Sequence, residues 1–335
     1  METLVLIDDA GSPQRKTALR VAGIRAETSV GVARYAARLA DALAARGVDY
    51  RPAGRPLRGL RAHFHFANSS RSFLWRGAAE HEPFVVTVHD VVPRTRALTP
   101  LYRRVAYPLV RRAAAVVVHS AYAAEVLERE AGATPVRVIP HLAPPGPVGE
   151  RPAARRALGW GGDAPLFLMP GVLRRVKLVD ETLVAAAPLL ERGTLSLALA
   201  GPIGDAGLER RARRLGVHVL AGPDAATYET ALAAADAVLV LRRGSVGETN
   251  GPLLDALGAG RPVLATRVGS IPEVAGEAAR YCAPSVGGIR GGLLALCDAD
   301  ERESRARRAA ERGRSLHPDR IAAEHAALFA EVFGA

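Results

Sequence analysis

Short apolar runs alternate along the chain with longer segments in which apolar residues recur every three or four positions. The longer segments, such as 32–46 and 122–131, have the period of amphipathic helices, and the short runs have the length of buried strands. Runs that are apolar on both faces are typical of parallel strands covered by helices on both sides of a sheet. The predicted strands are 4–7, 62–66, 84–88, 115–118, 136–139, 166–169, 195–200, 218–220, 237–241 and 262–266.

A stretch rich in proline and glycine interrupts this alternation. Residues 141–160, HLAPPGPVGERPAARRALGW, hold four prolines and three glycines without an apolar period, which is typical of a linker. A chain of 335 residues corresponds to about two domains, and ten strands exceed one doubly wound unit. We therefore predict two Rossmann-like units, 1–145 and 146–316, joined by a hinge near 142–165. The closing helix, 317–335, is compatible with packing on either unit, the N-terminal one included.

Composition excludes several classes of protein. Apolar residues make up 49% of the chain and charged residues 24%, and no apolar stretch reaches the roughly 18 residues of a membrane-spanning helix. The acids Glu2, Asp8 and Asp9 flank the first apolar run, which is the wrong charge pattern for a signal peptide. Cys282 and Cys297 are too few for a disulfide framework. We therefore expect a globular cytoplasmic protein.

The charge balance favours anionic partners. Lys and Arg outnumber Asp and Glu by 45 to 34, which gives a net charge of +11 and an isoelectric point near 10.5. Many arginines fall in helical segments such as 207–216 and 301–314, where they are typical of solvated helix faces. Aromatic residues are only 5% of the chain, too few for the stacking surface of a single-strand binder. We expect no nucleic-acid partner, and a basic nucleic-acid-binding protein is a minor alternative.

One basic segment has two interpretations. Residues 94–112 contain six arginines and no acid, with apolar residues between them. Such a segment is typical of a helix that lies on an anionic membrane, which would make the protein peripheral at the inner membrane face. The alternative is an ordinary helix that covers the N-terminal sheet.

The loop that follows predicted strand 166–169 carries a cluster of cations. In open α/β sheets, ligands bind at the carboxyl ends of the strands, where loops lead into helix N-termini. Here Gly171 is followed by three cations that can neutralise a diphosphate. These cations are Arg174, Arg175 and Lys177.

A second loop leads from strand 237–241, followed by Arg242, into a predicted helix. Asn250 is a candidate N-cap of that helix, with Thr249 before it and Gly251 after it. The free backbone N–H groups and the positive dipole end at such a helix start favour a phosphate.

Two acids accompany this helix. Glu248 and Asp255 lie seven residues apart, about two turns, and therefore on a similar side. Their carboxylates can accept hydrogen bonds from sugar and ribose hydroxyls. In a third loop, Gly269 and Ser270 offer further backbone donors. Taken alone, each loop also fits a plain tight turn with exposed acids.

Several segments together carry a resemblance to a known family. LLDALGAGRPVLAT and VGSIPEV, with Lys177 in the loop before them, resemble the LEAMACGKPVVAS and GGLPEV elements and the loop lysine of retaining GT-B glycosyltransferases of family-4 type. In the first half, SVGVARYAARLADALAARGVDY resembles their glycine loop and first helix, and FVVTVHDVVPR their TxHD strand. AAAVVVHSAYAAEVL and VRVIPHLAPP resemble the segment leading to the hinge, so the resemblance covers nearly the whole chain. It implies a GT-B fold: two Rossmann-like doubly wound parallel-sheet domains facing across a cleft.

The chain departs from the pattern of this family at two places. With Asp255 on the second family glutamate, Gly247 rather than Glu248 occupies the first, so GETNG resembles a variant shifted by one residue. The arginine that the family has directly after the loop glycine is Val172 here. The candidates to replace it as diphosphate partner of the lysine are Arg174, Arg175 and Arg242.

The resemblance implies transfer of a hexosyl-type sugar from a nucleoside-diphosphate sugar, linked to UDP or GDP, to an acceptor hydroxyl. It implies that the N-terminal domain binds the acceptor, which is a small molecule, a lipid-linked molecule or a glycan, and that the C-terminal domain binds the donor. Retention of the anomeric configuration would need no protein nucleophile, because the leaving phosphate takes the acceptor proton. Inversion would need a general base, and His89 and Asp90 are the nearest candidates.

The same resemblance implies roles for the candidate residues. Lys177 and one of the arginines would hold the diphosphate, and Glu248 would bind hydroxyls of the donor sugar. Asp255 would bind the ribose, and Gly31 would let the backbone approach the phosphate from the other side of the cleft. His89, at a strand end, would lie near the sugar or the acceptor hydroxyl; the alternative is a core or capping histidine.

We expect no metal ion and no cofactor. A leaving diphosphate is stabilised either by a metal ion or by cations together with a helix N-terminus, and the loops supply the second solution. Asp298-Ala299-Asp300 resembles a metal-binding DxD motif but follows a helix-like segment, so we interpret it as an acidic turn, and no His/Cys cluster has metal-ligand spacing. A nucleotide-sugar epimerase of the same architecture is the alternative enzyme.

Overall fold

The computed structural model describes residues 19–25, 30–68, 82–132, 136–147 and 149–334. Within them the chain forms two six-stranded sheets in which every strand pair is parallel. Buried apolar clusters lie on both faces of each sheet. The predicted fold class is therefore confirmed. Predicted strand 4–7 lies outside the described residues.

The N-terminal sheet has the strand order β2-β1-β3-β4-β5-β6. Its strands are β1 (Arg20–Arg25), β2 (Asp49–Ala53), β3 (Arg61–Phe66), β4 (Phe84–Val88), β5 (Ala115–Val118) and β6 (Val136–Val138). The apolar pattern predicts four of these but not β1 or β2. β2 contains Pro52, which a strand at the edge of a sheet tolerates because one side of its backbone pairs with nothing. Gly23 and the flanking arginines interrupt the apolar run of β1.

The second sheet has the strand order β12-β11-β10-β7-β8-β9. Its strands are β7 (Leu166–Pro170), β8 (Ser196–Gly201), β9 (His218–Ala221), β10 (Ala237–Val240), β11 (Val263–Thr266) and β12 (Ala279–Cys282). The first five agree with the predicted strands to within one residue at each end. β12 is not predicted, because it is a partly exposed edge strand and therefore lacks a continuous apolar run.

The described part of the chain also contains thirteen α-helices, the last three of which follow β12. They are α1 (Val30–Ala44), α2 (Thr99–Leu101), α3 (Tyr107–Arg112), α4 (Ala121–Ala131), α5 (Arg151–Ala157), α6 (Val179–Glu191), α7 (Ala206–Arg214), α8 (Ala225–Ala234), α9 (Gly251–Gly258), α10 (Ile271–Ala275), α11 (Val286–Cys297), α12 (Ala299–Ser315) and α13 (Pro318–Phe333). Asp298 caps α12 by accepting a hydrogen bond from the backbone N–H of Glu301 (2.8 Å). The DxD-like triplet is thus a helix start.

Part of the predicted linker is helical. Pro152 stands in the first turn of α5, where its missing N–H is not needed, and the helix packs against α8 of the second domain. Arg151 and Arg155 of α5 both bind the buried carboxylate of Asp236. The extended hinge itself is therefore confined to the residues before α5.

The last helix returns to the N-terminal domain. Ile321 and Phe329 of α13 are fully buried in the same cluster as Tyr35 and Leu39 of α1. The Tyr35 hydroxyl donates to Nε2 of His325 (3.0 Å), whose Nδ1–H is taken by a backbone carbonyl one turn earlier. α13 thus supports the helix that faces the interdomain cleft.

The basic segment 94–112 forms a short helical layer on the N-terminal domain. α2, a π-helical turn (Tyr102–Ala106) and α3 follow one another without a break. Tyr102 and Tyr107 are buried in the domain core, whereas Leu98 and Leu101 are each 38% exposed. No helix among the described residues is long and apolar enough to cross a bilayer.

Candidate active site

A cavity of about 550 Å³ lies between the two domains. Its walls come from the residues that directly follow the carboxyl ends of strands in both sheets, and from the N-terminal turns of α1 and α9. Among its lining residues are Gly31, His89, Asp90, His119, His141, Gly171, Gly201, Gly222, Glu248, Thr249, Gly251 and Asp255. The structure therefore brings most of the predicted site residues together.

Lys177 lies directly behind the cavity wall. Gly171 has φ of +83°, and a Cβ added there would lie 2.8 Å from Nζ of Lys177, so only a glycine leaves the ammonium group this close to the cavity. Nζ donates one hydrogen bond to the carbonyl of Pro170 (3.0 Å). Burial, together with the neighbouring Arg242 and Arg174, lowers the pKa of Lys177 to about 8.

The three candidate arginines occupy different environments. Arg174 and Arg175 are exposed and do not line the cavity. Arg242 is largely buried, and it forms an ion pair with Glu248. Its Nε is buried without a hydrogen-bond partner among the described residues. Arg242 is thus the most buried of the three arginines and lies near Lys177, although it too is absent from the residues that line the cavity.

Glu248 lies in the cavity wall, with its side chain 12% exposed. Its Oε2 accepts hydrogen bonds from the Ser245 hydroxyl (2.8 Å) and the Val246 N–H (2.6 Å), and its Oε1 faces Arg242. A carboxylate has about four acceptor positions, so one on Oε1 is left for a ligand hydroxyl.

The start of α9 faces the same space. Asn250 caps the helix, its Oδ1 accepting from the Leu253 N–H (3.2 Å), and Thr249 and Gly251 line the cavity on either side of it. One turn further, Oδ2 of Asp255 accepts from the Tyr228 hydroxyl (2.8 Å). Burial raises the pKa of Asp255. The other oxygen of this carboxylate remains for a ligand.

The N-terminal domain supplies the opposite wall. Gly31 stands in the first turn of α1, and His89 and Asp90 follow β4. The His89 ring is buried, and burial holds its pKa well below the ordinary value, so the ring is neutral at physiological pH. The carboxylate of Asp90 is buried beside it.

The lining residues that the sequence analysis did not predict include two arginines and two tyrosines. Arg34 and Arg38, one turn apart on α1, line the cavity and make no ion pair within the described ranges. Tyr35 stacks its ring edge against His89 from the same helix face, and Tyr228 holds Asp255. The spacing of Arg34 and Arg38 in an otherwise apolar helix is the signal that points to them.

Backbone contacts tie the two walls together. The N–H groups of Val91 and Val92 both donate to the carbonyl of Val246 (2.9 and 3.1 Å). Gly247 packs so closely on Val91 that an added Cβ would lie 2.7 Å from the valine Cβ. Glu273 adds a second clasp, because its carboxylate accepts from two N–H groups at the start of α4. The loop that follows β4 therefore sits directly against the loop that carries Glu248.

Two family models match the sequence. Glycosyltransferase Family 4 matches residues 57–143, and Glycosyl transferases group 1 matches residues 164–298. The first range includes His89 and Asp90 on one wall, and the second includes every loop described for the other wall. The chain is a GT-B glycosyltransferase. No curated protein matches its sequence significantly.

Solved structures share the fold of this glycosyltransferase over most of its length. Sucrose-phosphate synthase from Thermosynechococcus elongatus is 18% identical, with a TM-score of 0.77 over 94% of this chain and 99% of that chain. Anabaena HepE, solved with UDP and glucose, is 15% identical, with a TM-score of 0.73 over 93% and 100%. A glycosyltransferase from Rickettsia africae is 11% identical, with a TM-score of 0.70 over 94% and 98%. At such identities the likeness concerns the fold.

Proposed function

We propose that this glycosyltransferase transfers a hexosyl-type sugar from a UDP- or GDP-linked donor to an acceptor hydroxyl. The observation that carries the proposal is the interdomain cavity, which has a helix start on one wall with the largely buried cations Lys177 and Arg242 behind it, and hydrogen-bonding side chains on the other wall. The similar Anabaena protein was solved with UDP and glucose, which supports a nucleotide-sugar donor. The C-terminal domain binds this donor, and the N-terminal domain binds the acceptor.

The donor diphosphate is held by the second domain in this proposal. Lys177 supplies one positive charge and Arg242 the other, because Arg242 is largely buried beside the lysine, whereas Arg174 and Arg175 are exposed. The N–H groups from Thr249 to Gly251 add the positive end of α9. Fixed cations and helix dipoles stabilise the charge that develops on a leaving diphosphate, and we propose that this enzyme uses them without a metal ion.

The sugar and the ribose occupy positions further along the cavity. Glu248 accepts hydrogen bonds from hydroxyls of the donor sugar, and Asp255, oriented by Tyr228, accepts from the ribose. Gly31 lets the backbone of α1 approach the phosphates from the other wall, and the ring of His89 closes the acceptor side. We propose retention, with the acceptor proton passing to the leaving phosphate; NMR of the product anomer tests this, since inversion would give the opposite anomer.

Thermal unfolding with nucleotides tests the proposed donor site. UDP or GDP should raise Tm in EDTA as much as with Mg²⁺, and UMP or GMP should raise it far less, because only the diphosphates reach Lys177 and Arg242. A nucleotide at 100 times its Kd stabilises a protein by about 2.7 kcal/mol. A shift that requires Mg²⁺ would overturn metal independence, and no shift with any nucleotide would overturn the donor site. Isomerisation of a nucleotide sugar without transfer would identify the epimerase instead.

The acceptor side has a surface suited to a membrane. Leu98 and Leu101 are exposed next to Arg96, Arg103 and Arg104, which is the pattern of a segment that lies on anionic lipid. We propose peripheral membrane contact through 94–112, as a lipid-linked acceptor would require.

Sedimentation with vesicles tests this contact. The protein should pellet with anionic vesicles at low salt and be released at high salt, because exposed charges are screened within about 10 Å at 0.1 M salt. Leu101→Ser should weaken the binding, and Leu294→Ser, at an exposed leucine of α11, should not. A protein that stays in the supernatant with anionic vesicles at low salt does not use this surface on a membrane.

A further inference from the structure

The hydrogen-bond partners of His89 determine which of its two ring nitrogens donates and which accepts. Nδ1 of His119 lies 2.9 Å from the carbonyl oxygen of Ile139, which only accepts, so the His119 proton is on Nδ1 and its Nε2 carries a lone pair. Nδ1 of His89 lies 3.3 Å from that Nε2 and must donate to it. Nε2 of His89 is then an acceptor, and it faces Nδ1 of His65 at 3.1 Å.

The same order of donors and acceptors extends from His65 through further buried side chains of the domain core. Nε2 of His65 accepts from the Tyr50 hydroxyl (2.7 Å), which accepts from Nδ1 of His63 (2.9 Å). Nε2 of His63 in turn accepts from the Thr87 hydroxyl (2.7 Å). Gly23 makes room for this arrangement, because a Cβ there would lie 2.2 Å from the tyrosine oxygen. All these side chains are buried, so reversing the chain would leave buried groups unpaired.

His89 consequently offers no ring nitrogen to a ligand. Asp90, the next residue in sequence, has a carboxylate oxygen that can accept a hydrogen bond from a ligand. Oδ2 of Asp90 accepts from the Asn68 N–H (2.8 Å) and from Arg94 (3.4 Å), while Oδ1 accepts from no described residue. The Asp90 side chain is only 7% exposed, and Asp90 is one of the residues that line the cavity.

Asp90 also stands opposite the residue proposed for the donor sugar. The clasp between Val91 and Val246 holds the two loops together, and the charge of Glu248 acts on the Asp90 carboxyl. With the donor sugar against Glu248, as proposed, an acceptor bound to the N-terminal domain approaches it from the side of Asp90. We propose, on the basis of the proposed function, that Oδ1 of Asp90 accepts a hydrogen bond from a second hydroxyl of the acceptor and so orients the acceptor, while the proton of the attacking hydroxyl stays available to the leaving phosphate and the neutral His89 ring only lines the cavity.

Asp90→Asn tests this assignment. The amide must keep its oxygen towards the two donors on the Oδ2 side, so it presents its NH₂ group to the cavity and turns an acceptor into a donor. We expect kcat/KM for the acceptor to fall about 100-fold, which corresponds to about 2.7 kcal/mol. The Kd of UDP or GDP should change less than twofold, which also shows that the variant is folded. The control Asp41→Asn changes an exposed acid of the same domain and should leave both quantities unchanged.

The possible outcomes distinguish an error in the Asp90 assignment from an error in the proposed function. If the wild-type enzyme transfers sugar and Asp90→Asn retains its rate within threefold, the Asp90 assignment is wrong and the function stands. If the wild-type enzyme transfers no sugar from any nucleotide donor, the proposed function itself is wrong.

A second measurement covers the case in which the variant does not fold. Burial and Glu248 raise the pKa of Asp90, opposed by Arg94 and the Asn68 N–H, and the net direction is upward. Protonation removes the acceptor, so the wild-type kcat/KM should fall on acidification through a pKa above the ordinary value of about 4. A rate that is constant down to that pH overturns the proposal.

Discussion

Lys177→Met is expected to lower kcat/KM for the nucleotide sugar about 1,000-fold, because it removes the buried cation nearest to the proposed diphosphate. Methionine keeps the length and apolar stem of lysine, so packing behind Gly171 is preserved. The Kd of UDP or GDP should rise as well, since the ground state also carries the diphosphate. Calorimetric titration and steady-state kinetics measure the two quantities.

A matched control separates local from general charge effects. Arg192→Met removes one positive charge from an exposed position at the end of α6 and should leave Kd and kcat/KM within twofold of the wild type. Equal losses in both variants would show that net charge attracts the nucleotide. A Lys177→Met enzyme with full activity would show that the lysine only fills space behind the glycine.

The pH dependence of nucleotide binding supplies an independent check. The pKa of Lys177 is about 8 in the free protein, so its charged form is complete well below pH 8 and is lost as the pH rises above it. A bound diphosphate favours the charged form and raises this pKa, so binding takes up a proton at high pH. Above pH 8 the Kd should increase by up to about tenfold per pH unit in the wild type, and this dependence should be absent in Lys177→Met.

The fold was predictable wherever a strand is buried on both faces. Such strands are β3, β4, β5, β7, β8, β10 and β11; the edge strands β6 and β9 are partly exposed but still carry valines that the apolar pattern detects. The missed strands β2 and β12 are at sheet edges, where one side is half-solvated and polar residues or Pro52 are tolerated. β1 was missed for another reason: its central glycine provides space for the Tyr50 hydroxyl. Such a requirement comes from a strand far along the chain and leaves no local pattern.

The loops that form the site were predictable from their order and spacing, whereas the side chains that meet between two loops were not. Arg174 and Arg175 are the arginines nearest to Lys177 in sequence, yet Arg242, which follows another strand, is buried beside the lysine. Parallel strands that are neighbours in a sheet end side by side, and β10 pairs with β7. Arg242, at the end of one strand, therefore lies near Lys177, which is 65 positions away in sequence.

The histidine arrangement shows the same limit. The sequence places His89 at a strand end, which is correct, but the position of a residue at a strand end does not tell which of its ring nitrogens donates and which accepts. The roles of the ring nitrogens depend on two groups: the carbonyl of Ile139, which lies in the loop after β6, and the ring of His65 in β3. Only the assembled sheet brings these groups into one hydrogen-bonded chain.

Glu248→Gln is expected to lower kcat about 100-fold while leaving nucleotide binding intact or tighter. The carboxylate is proposed to bind donor-sugar hydroxyls, and a hydrogen bond to a charged group contributes up to about 3 kcal/mol, roughly a 100-fold effect. Loss of its negative charge also frees Arg242 from the ion pair, so this cation interacts more strongly with the diphosphate. The Kd of UDP or GDP should therefore stay equal or fall.

This combination distinguishes a sugar-binding role from a purely structural one. If Glu248 serves only to hold its loop through Ser245 and Val246, glutamine supplies an oxygen for the same donors and turnover should be near normal. Glu181→Gln is the matched control, because Glu181 forms a comparable ion pair with Arg243 outside the cavity. A normal kcat in Glu248→Gln, or an equal loss in the Glu181 variant, would remove Glu248 from the catalytic site. A loss confined to Glu248, with nucleotide affinity preserved, would place the donor sugar against this carboxylate.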